Sequence, residues 1–184
     1  MKKVNKEFLV AIFILFAIPV GGYFVLKKAT DDRMKVSASL QPKDSISLDF
    51  RVSYLDADGR ERTSKLLEMP YLLKVIAPGE NTLELEQMEK ILDIINDRKD
   101  LAFLLKENPL RNTEKHRIMG YQSVDDSELR QIGDVLLVDA FNRVIQIYEA
   151  EDPGLYGRLL EDISFSFPMV DFRLEKLSAD AKSE

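Results

Sequence analysis

Apolar and polar residues alternate from Ile46 to Tyr54, with Ile46, Leu48, Phe50, Val52 and Tyr54 set against Ser47, Asp49, Arg51 and Ser53. A period of two held over these positions predicts a half-buried strand. Asp56-Ala57-Asp58-Gly59 turns the chain back, Gly59 being free to take a positive φ, and a return strand over residues 60–63 completes a hairpin. Residues 71–76 are short and largely apolar, which predicts a strand covered on both faces. Pro78-Gly79 breaks it. Asn81 stands where a helix cap would, with Glu84 three residues on to complete a capping box. Leu85, Met88, Leu92 and Ile95, reinforced by Ile91 and Ile94, then fall at helical spacing opposite Glu84, Glu86, Glu89, Lys90 and Asp93.

Residues 101–105 are another short apolar run, so strand, helix and strand form a right-handed parallel unit. Asn108-Pro109 ends it in a loop. Residues 123–132 predict a short helix, with Ser123 as cap and Gly133 after its end. Strands over 135–138 and 144–148 are joined by a tight turn in which Asn142 can take the left-handed conformation. Asp152 and Pro153 open a last helix whose buried side is Leu155, Leu159, Leu160 and Ile163. The order is an N-terminal β-hairpin, β-α-β, a short helix, then β-β-α. A parallel half followed by an antiparallel half, with helices on both faces, predicts an α/β fold of the thioredoxin-like kind over residues 45–168. Residues 169–184 read as a polar C-terminal tail.

The N-terminal pattern is of another sort. After a short basic segment, residues 1–7, comes a charge-free run of nineteen residues, 8–26, FLVAIFILFAIPVGGYFVL. At about 1.5 Å per residue it spans roughly 28 Å, close to the hydrocarbon thickness of a bilayer. Pro19, Gly21 and Gly22 are tolerated in a membrane helix. No small-x-small cleavage site follows; Lys27 and Lys28 do, so an uncleaved transmembrane helix acting as signal anchor is expected. Lysines flank the run on both sides, and their count does not choose an orientation. Residues 27–44, polar and without clear period, are expected to be a tether.

Composition narrows the chemistry. Across 184 residues there is no cysteine, one histidine (His116) and a net charge of −6. Without thiols the chain can carry out no disulfide exchange and offers no thiolate metal site. One histidine cannot make a histidine-rich centre. The methionines are scattered rather than clustered as a soft-metal site would need. The acidic balance, with no basic block beyond the N-terminal region, argues against nucleic acid as a partner. Acid pairs such as Asp125-Asp126 and Glu161-Asp162 fall at turns and helix ends, where acids cap or solvate.

Three stretches resemble the Sco/SenC family, membrane-anchored thioredoxin-like proteins of copper assembly. Asp56-Ala57-Asp58-Gly59-Arg60 through Leu72-Leu73 is similar to that family's entry hairpin and central strand. Asn108-Pro109-Leu110-Arg111-Asn112-Thr113-Glu114 is similar to its Asp-Pro-x-Arg-Asp-Thr-Pro loop, with both aspartates changed to asparagine. Asp134 to Asp139, with Ile147-Tyr148 and residues 152–163, resembles the closing strands and helix. The resemblance covers roughly residues 46–167 and implies an extracytoplasmic domain near a copper oxidase. It also implies a Cys-x-x-x-Cys pair and a distant histidine as copper ligands. Their counterparts are Gly79, Leu83 and a position within two residues of Gln131, none of which is a thiolate or imidazole. The stretch between Thr113 and Asp134 looks shorter than in the family, as though a strand and a helix were lost.

The expectation is therefore a divergent, cysteine-free member of that kind, a membrane-anchored, non-catalytic interaction or assembly/accessory module for a membrane complex, with a respiratory oxidase as the neighbourhood the resemblance implies. No catalytic, cofactor-binding or metal-ligating residue is assigned. Lipid would be met through residues 8–26 and a protein partner at the membrane through Pro78, Gly79, Asn81, Asn108, Arg111, Asn112 and Thr113. Two alternatives stand beside it: a protein binding a ligand or metal without thiols, and an enzyme of unrecognised chemistry.

Overall fold

The computed structural model describes residues 6–56, 58–79, 82–95, 98–106, 117–123 and 127–180; for 6–17, 19, 32–33, 36–37, 173 and 176–180 it describes the backbone. The chain divides into two units, Met1–Ser39 and Leu40–Glu184. The first holds α1, Lys6–Ser39. Its helix runs through the expected span and on through most of the tether, so the polar residues 27–39 are helical rather than irregular. Within it Thr30 Oγ1 donates to the Leu26 carbonyl at 2.9 Å. The first half of the expected span falls where only the backbone is described. Among the described residues no helix is long and apolar enough to cross a membrane. From Ile18 to Leu26 the apolar side chains of Ile18, Val20, Tyr23, Phe24, Val25 and Leu26 stand exposed.

The second unit begins at Leu40, not residue 45. It holds the strands β1 (Asp44–Ser45), β2 (Arg51–Leu55), β3 (Glu61–Lys65), β4 (Leu73–Ala77), β5 (Leu101–Lys106), β6 (Ile118–Gln122), β7 (Val135–Asp139) and β8 (Arg143–Tyr148). Its helices are α2 (Leu85–Ile94), α3 (Ser127–Ile132) and α4 (Leu155–Asp180). The described strands form one sheet in the order β1-β8-β7-β4-β5-β6-β2-β3. β4 and β5 are parallel, while β7 runs antiparallel to both β4 and β8. A central β4 between a parallel and an antiparallel neighbour is the thioredoxin-like arrangement expected.

Both turns built on special residues form as expected. Gly59 has φ 73° and Asn142 φ 58°. The Asp56 carboxylate accepts from the amides of Asp58 and Arg60 at 2.9 and 3.0 Å, closing the first hairpin. Asp139 does the same work in the second, accepting from the amides of Phe141 and Arg143 and from the Arg143 guanidinium.

The structure corrects four expectations. The strand expected from Ile46 starts only at Arg51, as β2, because the Phe50 amide bonds the Ser47 carbonyl and the Asp49 amide the Ser47 hydroxyl. That local turn competes with the ladder, leaving Ile46 and Phe50 buried but Leu48 61% exposed. A strand that the apolar pattern does not announce, β6, lies between residues 113 and 134, parallel to β5 and antiparallel to β2; Gly120 interrupts its apolar pattern. The α2 stripe is rotated, since Met88, Ile91 and Leu92 are buried and Leu85 is exposed. Its cap position is Glu84, which makes no side-chain cap bond. Finally, α4 passes through Pro168 and continues to Asp180, so most of the expected tail is helix. Val170 is buried there, and Asp171 is gripped by Arg98 at 2.8 Å.

Alternation along β4, β5 and β7 sends side chains to two faces. Leu73, Val75, Leu101, Phe103, Val135 and Leu137 meet α2 and α4. Ile76, Ala102, Leu104, Leu136 and Val138 meet Ile46, Phe50, Met69, Leu129 of α3 and Leu66 of a 3-10 turn, Leu66–Glu68.

Candidate functional site

Because β4 and β7 are antiparallel, with Ile76 opposite Leu136, the residues leaving β4 sit beside those entering β7. A cavity of about 530 Å³ opens there, lined by Pro78, Gly79, Arg130, Gly133 and Asp134. It lies beyond the carboxyl end of β4, where open α/β sheets place ligands. Pro78 is buried and Gly79 half-buried. A Cβ on Gly79 would stand 2.6 Å from Thr82 Oγ1, so the turn is closed on itself at that point.

Gly133 follows α3, its amide bonding the Leu129 carbonyl at 3.2 Å. Its φ is not positive. What requires glycine is room: a Cβ at this position would lie 2.4 Å from Ile147 Cγ2. Ile is stiff at χ1 and cannot swing that methyl aside cheaply. Asp134 is tied in place from the turn after β8, its carboxylate accepting the Ala150 amide at 3.2 Å. Arg130 is exposed and supplies the cation of the lining.

The start of α2 is not free to hold an anion. The Glu84 amide donates to the Tyr156 hydroxyl of α4 at 2.6 Å, and Leu83 is packed into the core. The lining of Pro78, Gly79, Arg130, Gly133 and Asp134 contains neither thiol nor imidazole. Among the described residues no three His, Asp or Glu side chains converge as a metal site would require.

Of the expected surface, Pro78 and Gly79 are brought together on this cavity. Asn81, Asn108, Arg111, Asn112 and Thr113 lie outside the described residues. Arg130, Gly133 and Asp134 were not assigned from the sequence, although the counterpart position near Gln131 falls among them. Gln131 itself is exposed.

A second charged feature lies in the sheet, away from the cavity lining. Lys74, the second residue of β4, is fully buried between Ala102 and Val138 in register. Its Nζ has no hydrogen-bond partner among the described residues. Burial pulls this ammonium down to about 8, while the charge of Asp139 acts in the other direction. The signal was legible: a lysine inside a strand read as covered on both faces has nowhere else to go.

No protein-family model matches the chain. No curated protein matches it either. Among solved structures it is similar to a thioredoxin peroxidase from Plasmodium yoelii (12% identity, 73% of this chain and 92% of that one, TM-score 0.43). It is also similar to an electron-transfer candidate from Aquifex aeolicus (11%, 68% and 94%, TM-score 0.41). A third is copper-bound ScoI from Arabidopsis thaliana (13%, 64% and 99%, TM-score 0.35).

Proposed function

We propose that this chain is a membrane-anchored, non-catalytic thioredoxin-like module that binds a protein partner at the cavity beside Pro78-Gly79. The observation that carries the reading is the cavity itself: it occupies the reactive end of such a sheet, yet the full sequence has no cysteine. A recessed surface with one cation, one anion and backbone at its rim suits recognition of an extended segment better than bond-making. The anchor is supported by an unbroken helical backbone through the charge-free run and by its exposed apolar residues from Ile18 to Leu26. By its resemblance to Sco/SenC proteins the module faces the extracytoplasmic side and serves assembly of a membrane complex, with a respiratory oxidase as the natural neighbour.

The test is recovery of the full-length protein in mild detergent beside its Arg130→Glu variant, a change at an exposed position. A stoichiometric partner held by the parent and lost by the variant is expected. Absence of any stable partner overturns the reading. Tight one-to-one copper binding by the full chain would replace it with a metal-binding role. Protease added to intact spheroplasts checks placement, since a protected second unit contradicts an extracytoplasmic domain.

A further inference from the structure

We propose that the outer edge of β8, residues 146–149, takes up an extended basic segment of a partner protein as an added strand. The site is distinct from the Pro78-Gly79 cavity and stands whether or not that cavity is a contact. β1 pairs only Asp44 with Val144 and Ser45 with Arg143. Among the described residues the ladder on this side reaches its limit with the Lys43 amide, which donates to the Val144 carbonyl at 2.8 Å.

Beyond it lies a hollow of about 250 Å³ lined by Gln146, Ile147, Tyr148, Glu149, Asp152 and Arg158. The Ile147 amide has the Gln146 side chain as its acceptor, with Oε1 at 3.3 Å. The same oxygen accepts from the Lys43 ammonium. Gln146 Nε2 in turn donates to Asp162 at 3.3 Å, and Asp162 also accepts the Tyr148 hydroxyl at 2.8 Å. A side-chain amide thus occupies the place where a neighbouring strand's carbonyl would sit. An incoming backbone replaces it with a better-aligned acceptor.

Charge selects the occupant. Asp152 and Arg158 answer each other as an ion pair. Glu149, Glu151 and Asp44 are exposed along the edge and Asp162 lies behind it, against Lys43. The excess is negative, which favours lysine- or arginine-bearing strands. It disfavours a second copy of this chain, whose net charge is −6.

Amide hydrogen exchange on the full-length chain in mild detergent tests this, with acetyl-(Lys-Val)₃-amide as probe and acetyl-(Glu-Val)₃-amide as its opposite. The lysine peptide is expected to slow exchange at Ile147 and Glu149, and the glutamate peptide to leave it unchanged. Gln146→Ala removes the competing amide and should tighten the lysine peptide by up to about tenfold, one hydrogen bond's worth. Ile147→Pro deletes the outward donor and should abolish the effect; near-ultraviolet dichroism verifies that both variants are folded. Equal protection by the two peptides overturns the charge assignment. Protection that rises with protein concentration and needs no peptide makes the occupant a second copy, and no protection at 146–149 removes the site.

Discussion

The two faces of the sheet are built from alternate residues of the same strands, yet they are covered differently. On one, α2 and α4 lay Met88, Leu92, Leu159 and Ile163 over Val75, Phe103 and Leu137, all buried and all apolar. On the other, the lid is made of residues 46–50, a 3-10 turn and the short α3, and Lys74 is buried beneath it. Continuous helices supply whole apolar stripes, and the carboxylate they bury, Asp162, is met by the Tyr148 hydroxyl and the Gln146 side-chain amide. A lid pieced from turns still excludes water from Lys74 but, among the described residues, gives its ammonium no acceptor. The first face holds the fold; the second carries its electrostatic cost.

The sharpest way to break this comparison is to truncate the helix-covered face. Leu159→Ala should lower unfolding stability by about 3 kcal/mol, read by chemical denaturation. The opposite sign is expected on the other face, where Lys74→Met should raise stability by about 2 kcal/mol at pH 7. The pH profile identifies the cause. Below about 8 both folded and unfolded states hold the proton, and the fold bears the full cost of the buried ammonium. Between about 8 and the ordinary lysine value the folded state releases it while the unfolded state keeps it, so stability rises with pH. Lys74→Met should abolish that rise.

A smaller effect is expected where α4 runs past Pro168. Arg98 bonds Asp171 at 2.8 and 3.1 Å and Asp100 at 2.8 and 3.0 Å, with its guanidinium over the Phe167 ring at 3.9 Å. Asp171→Asn should cost about 1 kcal/mol, since the pair is partly exposed, and should speed amide exchange over residues 169–180. The guanidinium holds the Asp171 carboxyl below its usual value. Its contribution is therefore present above the unfolded carboxyl pKa and lost as pH falls through the folded one. The smallest effect belongs to Leu85→Ser, within about 0.5 kcal/mol, because Leu85 is 49% exposed despite its place in the apolar stripe.

These contrasts show where the sequence was readable. Periodicity found β4, α2, β5, β7, β8 and the start of α4, because each repeats a simple pattern over several residues. Gly59 and Asn142 were legible because few other residues accept positive φ. β6 was missed because Gly120 breaks a short apolar run, and residues 46–50 misled because an alternating pattern cannot register Ser47 capping its own turn. The extension of α4 depends on Arg98, some seventy residues away, which no local pattern contains. Half of the cavity was legible in Pro78-Gly79. Its other wall depends on β7 running antiparallel beside β4, a pairing that residues 130–134 do not announce by themselves.

The close approach of Gly133 and Ile147 constrains how this chain can drift. One residue lines the cavity and the other the β8 edge, and position 133 is not free to vary alone. A side chain can be gained at 133 only after 147 has given up its branched methyl. Lineages that replace the two in the reverse order must pass through a strained intermediate, and relatives should therefore show the pair changing together.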